Sequence, residues 1–306
     1  MRIIQSANPR PLNLIAVGPN GLVAVASRTF VVPGDVEVCD VTSGRIAMRF
    51  ANPDSATSLA FTADNRFVML ADAAFLRFIE VASGRSMSST LFPNPRPEFA
   101  LSADGERFLV TSSNDTSGEV SCFTTALGGD RRRLWHMDTG FAHSCPVFAP
   151  TGEKFAVAVR TLVPDWVRLM VQVRSAASGA GYFTVPFDFA SPVRQLAFTA
   201  DGAKLLVRTD SNTVQLFDAA TGAAAAGVLK HKGRSFVTGI AVHPRGPVAC
   251  ARTDGTVTLW NAETREQLRV LDWKAGRLVS VAFAPDGALA AAGTEDGKIV
   301  VWDVDV

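Results

Sequence analysis

One four-residue phrase recurs seven times along the 306 residues, and its spacing leaves few architectures open. The copies are Gly18-Pro19-Asn20-Gly21, Thr62-Ala63-Asp64-Asn65, Ser102-Ala103-Asp104-Gly105, Ala149-Pro150-Thr151-Gly152, Thr199-Ala200-Asp201-Gly202, His243-Pro244-Arg245-Gly246 and Ala284-Pro285-Asp286-Gly287. Their last residues stand 44, 40, 47, 50, 44 and 41 positions apart. Each phrase reads as a tight turn. Pro or Ala second suits a φ of about −65°, Asp or Asn hydrogen-bonds the following backbone, and a final Gly or Asn accepts positive φ.

The flanks of these turns are short apolar runs. Leu196-Ala197-Phe198 enters one turn and Leu205-Leu206-Val207 leaves it; Val281-Ala282-Phe283 enters the last and Leu289-Ala290-Ala291-Ala292 follows. Runs this short between turn signals predict buried strands rather than helices of ten or more residues. A second turn phrase follows a further strand in several copies: Asp40-Val41-Thr42-Ser43-Gly44-Arg45, Glu80-Val81-Ala82-Ser83-Gly84-Arg85 and Asp218-Ala219-Ala220-Thr221-Gly222-Ala223, with a looser version at Ser175-Ala176-Ala177-Ser178-Gly179. Ahead of it or its equivalent lie strands such as Val257-Thr258-Leu259-Trp260 and Ile299-Val300-Val301-Trp302.

The last two copies run on as Trp260-Asn261 and Trp302-Asp303, at the position of the Trp-Asp pair that names the WD-repeat family. The chain resembles that family over essentially its whole length, most closely in the two C-terminal copies; copies three and four are degenerate. A period of roughly 40 to 45 residues is that of its propeller blades. The resemblance implies an all-β, seven-bladed β-propeller of four-stranded antiparallel blades in one domain, residues 1–306. The last copy stops after its third strand, so the N-terminal segment Arg2-Ile3-Ile4-Gln5 is expected to join the last blade and close the propeller. Most repeats of the family carry a Gly-His pair four to five residues before the Val that opens the first strand. None of the seven copies has it at that spacing, so the family's buried His–Asp network is not carried over to any residue here.

Composition narrows the function classes. A net charge of +1 provides no global field for a nucleic-acid backbone. The N-terminal ten residues lack the apolar centre of a signal peptide and no 18-residue apolar run occurs, which points to a cytoplasmic protein that neither spans nor binds a membrane. The four cysteines, Cys39, Cys122, Cys145 and Cys250, lie in different copies with no paired spacing and are expected to be reduced. His136, Asp138, His143 and Cys145 offer metal-binding groups, but their spacing matches no established zinc pattern, so neither a metal nor another cofactor is expected.

On the face that the family commonly uses, the loop after each blade's second strand repeats Arg-Thr, at Arg28, Arg160, Arg208 and Arg252. The approach to each first strand adds Arg234 and Arg277, among others, and the loop from Arg160 to Trp166, longer than its equivalents, adds Trp166. Guanidinium forks suit carboxylates and phosphates, and Trp and Arg often dominate interface energetics. Arg28, Arg160, Trp166, Arg208, Arg234, Arg252 and Arg277 are therefore the candidate partner-binding residues, for a protein or peptide that is acidic or phosphorylated. Arg208 and Arg252 are expected near solvent at strand ends, with local pairing to Asp210 and Asp254 as the competing arrangement. The function expected is a noncatalytic interaction platform, with no catalytic residues. The alternative is a propeller hydrolase of the lactonase type, which needs converging Glu, Asp, Asn or His where this chain repeats Arg and Thr.

Overall fold

The computed structural model describes the chain apart from residues 8, 28–33, 53–55, 74, 93, 115–116, 126–131, 140–141, 164–165, 186–190, 232 and 305–306. Side chains at 52, 88–89, 139, 142–143, 161–163, 166–167 and 226 also lie outside the description. No helix occurs among the described residues. Twenty-eight strands, numbered in chain order from β1 (Arg2–Gln5) to β28 (Lys298–Asp303), form seven four-stranded antiparallel sheets. Each sheet is a blade of a seven-bladed β-propeller, as the repeat spacing predicts.

The repeated turns explain why the chain reverses where it does. All seven final residues adopt positive φ, from 55° at Asn65 to 121° at Gly246. In six copies the N–H of that residue donates to the carbonyl three positions earlier, as in Gly202 to Thr199 at 2.8 Å. Three copies add the same side-chain lattice. Thr199 Oγ1 donates to Asp201 Oδ1 at 2.5 Å and accepts from Lys204 N at 2.9 Å, while Ala203 N donates to Asp201 at 2.9 Å. Thr62 with Asp64 and Ser102 with Asp104 repeat it. These bonds hold the Asp104 and Asp201 carboxyls below the ordinary range, the hydroxyl donors Ser102 and Thr199 contributing most.

The chain divides into two compact units, Met1–Leu91 with His231–Val306, and Phe92–Lys230. The first holds blades 1, 2, 6 and 7. Blade 6 comprises β22 (Val237–Val242), β23 (Val248–Arg252), β24 (Thr256–Trp260) and β25 (Gln267–Asp272). Blade 7 comprises β26 (Leu278–Phe283), β27 (Leu289–Thr294), β28 and β1. As expected, β1 pairs antiparallel with β28, Arg2 opposite Val301 and Ile4 opposite Ile299. Ile4 packs with Leu12, Val23, Ile299 and Val301 in one core, while Val257, Leu278, Val300 and Trp302 share another.

The second unit holds blades 3 to 5. Blade 3 comprises β10 (Glu98–Leu101), β11 (Arg107–Ser113), β12 (Gly118–Thr124) and β13 (Arg133–Thr139). Blade 4 contains β14 (Ala142–Phe148), β15 (Lys154–Val163), β16 (Trp166–Ser175) and β17 (Gly181–Thr184). The sequence reads Arg160 to Trp166 as a long loop; instead β15 and β16 continue as a ladder, with Arg160 opposite Leu169 and Val163 opposite Trp166. Leu162, Val163 and Val167 are strand-favouring residues, and the ladder satisfies backbone groups that a loop of that length would leave to water. Blade 5 runs through β18 (Gln195–Phe198), β19 (Lys204–Arg208), β20 (Thr213–Asp218) and β21 (Ala224–Lys230).

Candidate interaction face

In the first unit, the connections between blade strands form a continuous ledge. Arg252 ends β23 opposite Val237, which places the segments 234–236 and 253–255 side by side. Phe236 and Thr253 exchange bonds: Phe236 N donates to Thr253 Oγ1 and Thr253 N to the Phe236 carbonyl, both at 3.1 Å. Gly255 lies so close to the next segment that a Cβ would sit 2.7 Å from the Gly276 carbonyl oxygen. Its φ of 86° is itself in the region that favours glycine. Beyond it, Lys298 Nζ donates to the Ala275 carbonyl at 3.2 Å, and Ser6 N and Leu12 N donate to the carbonyls of Gly297 and Thr294.

The charges on this ledge are mostly paired. Arg252 Nη2 lies 3.1 Å from Asp254 Oδ2, whose carboxylate also accepts from Ser235 Oγ and Thr256 Oγ1, both at 2.7 Å. Burial works to raise the Asp254 carboxyl, but Thr256, Ser235 and Arg252 together outweigh it and hold it below its ordinary value. Arg277 Nη1 lies 3.4 Å from Glu295 Oε2, and Lys298 Nζ lies 2.5 Å from Asp296 Oδ2. Arg234 is exposed, and beside it Phe236 is 53% exposed, unusually open for a phenylalanine.

Of the candidate residues, Arg234, Arg252 and Arg277 come together on this ledge. Arg252 is a correction: it is only 8% exposed and pairs with Asp254, where the sequence places it near solvent. Arg277 is exposed but engaged by Glu295. In the second unit Arg160 is exposed on β15 and Arg208 is half-buried at the end of β19. Asp210 holds Arg194, through Nε at 2.9 Å and Nη2 at 2.7 Å. Arg28 lies outside the described residues, as does the Trp166 side chain.

Two features of the ledge escape sequence reasoning. Phe236 looks like any strand-opening apolar residue, and only its exposure marks it. His231 stands six residues before Val237, outside the spacing sought, yet it is buried, with Nδ1 3.4 Å from Thr258 Oγ1 and its ring edge-on to Trp260 at 5.0 Å. Burial first, then the neighbouring Arg252, lowers its pKa to about 4, with Asp254 opposing.

The same pairing divides the arginines into two kinds. Arg252→Ala strips a buried cation from Asp254 and should cost about 1–3 kcal/mol, whereas Arg277→Ala, at an exposed pair, should cost under about 0.5 kcal/mol. Urea-unfolding midpoints of the two variants check this.

The cysteines are free, and all but Cys145 are buried. Burial pushes the Cys39 thiol up to about 12, with Glu37 adding to it, and the Cys122 thiol up to about 11.

Comparison with known proteins agrees with this geometry. The WD domain, G-beta repeat (WD40) family model matches residues 226–261, from within β21 through β24, and residues 265–303, from β25 through β28, so that each match joins the last strand of one blade to the first three of the next. The chain is 31% identical over 67 residues to the periodic tryptophan protein 2 homolog of Schizosaccharomyces pombe, covering 21% of this chain and 8% of that much longer protein. A chain in the crystal structure of the mitotic checkpoint complex superposes with a TM-score of 0.77 over 100% of this chain and 95% of its own length, at 16% identity, a likeness of fold. The chain is a seven-bladed β-propeller in which two repeats, residues 226–261 and 265–303, match the WD40 model.

Proposed function

We propose that this propeller is a noncatalytic platform that holds a protein or peptide segment on the ledge of blades 6 and 7. The observation that carries the reading is Phe236, a large apolar side chain 53% exposed amid charged groups. An aromatic anchor inside a polar rim is the usual anatomy of a binding hot spot. Arg234 and Arg277 stand at the rim as exposed guanidinium groups. An acidic or phosphorylated partner segment meets Arg234 directly and competes with Glu295 for Arg277, through charge-assisted hydrogen bonds. A cytoplasmic location is part of this proposal.

The test compares proteins captured by the wild type with those captured by a Phe236→Ala/Arg234→Ala double variant. Both side chains are exposed, so folding is expected to persist, checked by an unchanged urea midpoint. A partner retained by wild type and lost by the variant, with retention falling as salt rises toward the range where screening acts over about 10 Å or less, supports the reading. Equal capture by both proteins overturns it.

A further inference from the structure

Blade 3 carries a polar cluster that the interaction face does not use. In the β12–β13 register Glu119 stands opposite Asp138 and Ser121 opposite His136. Alternation along each strand puts these four side chains on one face. The other face, with Val120, Cys122, Trp135 and Met137, packs with Phe155 and Val157 of blade 4. One ligand-type atom from each of Glu119, His136 and Asp138 lies within 4.8 Å of the other two.

We propose that Glu119, His136 and Asp138 bind a divalent transition-metal ion, for which zinc suits the donor set. The cluster differs from the one that the sequence suggests. Cys145 belongs to β14 of the next blade, and its N–H is engaged by Glu98 Oε2 at 2.6 Å. Glu119 enters instead, from across a hairpin, where no local spacing points to it.

Glu119 is the strongest argument. Its residue is only 9% exposed, and its carboxylate accepts from Ser112 Oγ at 2.8 Å. His136 Nδ1 lies 3.9 Å from its Oε2. The Glu119 side chain is 12% exposed, so the carboxylate is largely but not wholly screened from water, and a cation at this position would offset the cost of that screening.

His136 is oriented as a ligand needs to be. Its Nδ1 lies 2.9 Å from Ser121 Oγ and its Nε2 2.8 Å from Asp138 Oδ1. If Nδ1–H donates to Ser121, the Nε2 lone pair faces an oxygen lone pair, which requires a proton or a metal ion between them. A proton serves His136 and Asp138 alone; a metal ion engages Glu119 as well. Ser121 is then the outer partner that fixes the tautomer.

Imidazole and carboxylate ligands together suit zinc and its first-row neighbours. Bonds of about 2.0–2.2 Å in a tetrahedron set ligand atoms about 3.3–3.6 Å apart. Nε2 and Asp138 Oδ1 therefore separate slightly from 2.8 Å, Glu119 Oε2 swings from the Nδ1 side toward Nε2, and a solvent water completes about four ligands. Asp138 can make that adjustment, because its side chain is 87% exposed on β13, the terminal strand of the sheet. The ion enters from that side and pins β13 to β12.

Tag-free protein, stripped with chelator, is titrated with zinc by calorimetry and with cobalt by absorption spectroscopy. Saturable binding of about one ion per chain is expected, weakened at least about tenfold by His136→Ala and by Asp138→Asn, and unchanged by His143→Ala. Zinc should raise the urea midpoint of the wild type and not of His136→Ala. Asp138→Asn alters an exposed side chain, so it keeps the test decisive even if His136→Ala folds poorly. Absence of saturable binding, wild-type affinity in both ligand variants, or loss of binding with His143→Ala overturns the site.

Discussion

A protein lacking residues 1–5 is expected to unfold at markedly lower urea concentration and to self-associate, though it loses only one short strand. β1 supplies the fourth strand of blade 7, so its loss leaves the backbone groups of β28 along Ile299, Val300 and Val301 as an open edge. Ile4, 4% exposed, is the side chain through which β1 joins the core with Leu12, Ile299 and Val301. Ile4→Ala alone should cost about 2–5 kcal/mol from lost burial and the cavity left behind, and the truncation more, because ladder hydrogen bonds disappear as well. Ile3, which is exposed, provides the control, and Ile3→Ala should change little. Sedimentation together with urea midpoints of the three proteins checks both effects. A monomeric truncated protein with a wild-type midpoint would show that β1 does not close blade 7 in solution.

Acidification from pH 6.5 to 4 should destabilise the protein by up to about 3 kcal/mol through His231 alone. Burial, reinforced by Arg252 and opposed by Asp254, lowers its pKa from 6.5 to about 4. In that window the unfolded chain binds a proton at this residue and the native state does not. Stability from His231 is therefore complete above about pH 6.5 and is lost as pH falls toward 4, at about 1.4 kcal/mol per unit. The turn carboxyls act lower: Asp104 and Asp201 are depressed, so their contribution is present above about pH 4 and is lost as pH falls through their native values. Urea midpoints at pH 7.5, 5.5 and 4.5 should fall steadily in wild type and much less in His231→Gln. The slope is the readout, so a lower absolute stability of the variant does not obscure it. Equal slopes in the two proteins would place a charged or solvated imidazole at residue 231.

The contrast between Arg252 and Arg234 shows how far the candidate site was legible in the residues. The residues place Arg252 at a strand end near solvent and Arg234 on the approach to a first strand, and Arg234 is exposed. Arg252 is not, because Gly255 brings the next loop against its own and Ser235 completes the shell around Asp254. Those contacts join residues 21 and 19 positions apart, Gly255 with Gly276 and Ser235 with Asp254, beyond the reach of any local pattern. Glu119 escaped for the same reason: its proximity to His136 and Asp138, which the sequence does single out, is set by the β12–β13 register and not by spacing in the chain.

What the sequence determined by itself is the repeat. That Arg2–Gln5 joins the last blade was expected from the family resemblance and the three strands of the last copy. Seven turns whose last residue accepts positive φ, flanked by short apolar runs, dictate where the strands begin and how many blades form. These are local matters, decided by backbone sterics and by which short segments must be buried. Tertiary structure alone decided which charges are paired, that the segment from Arg160 to Trp166 continues as strand, that His231 is buried, and that Phe236 is left in the open. Each of those depends on what a neighbouring loop or blade brings to within a few ångströms, and a chain read residue by residue carries no record of that distance.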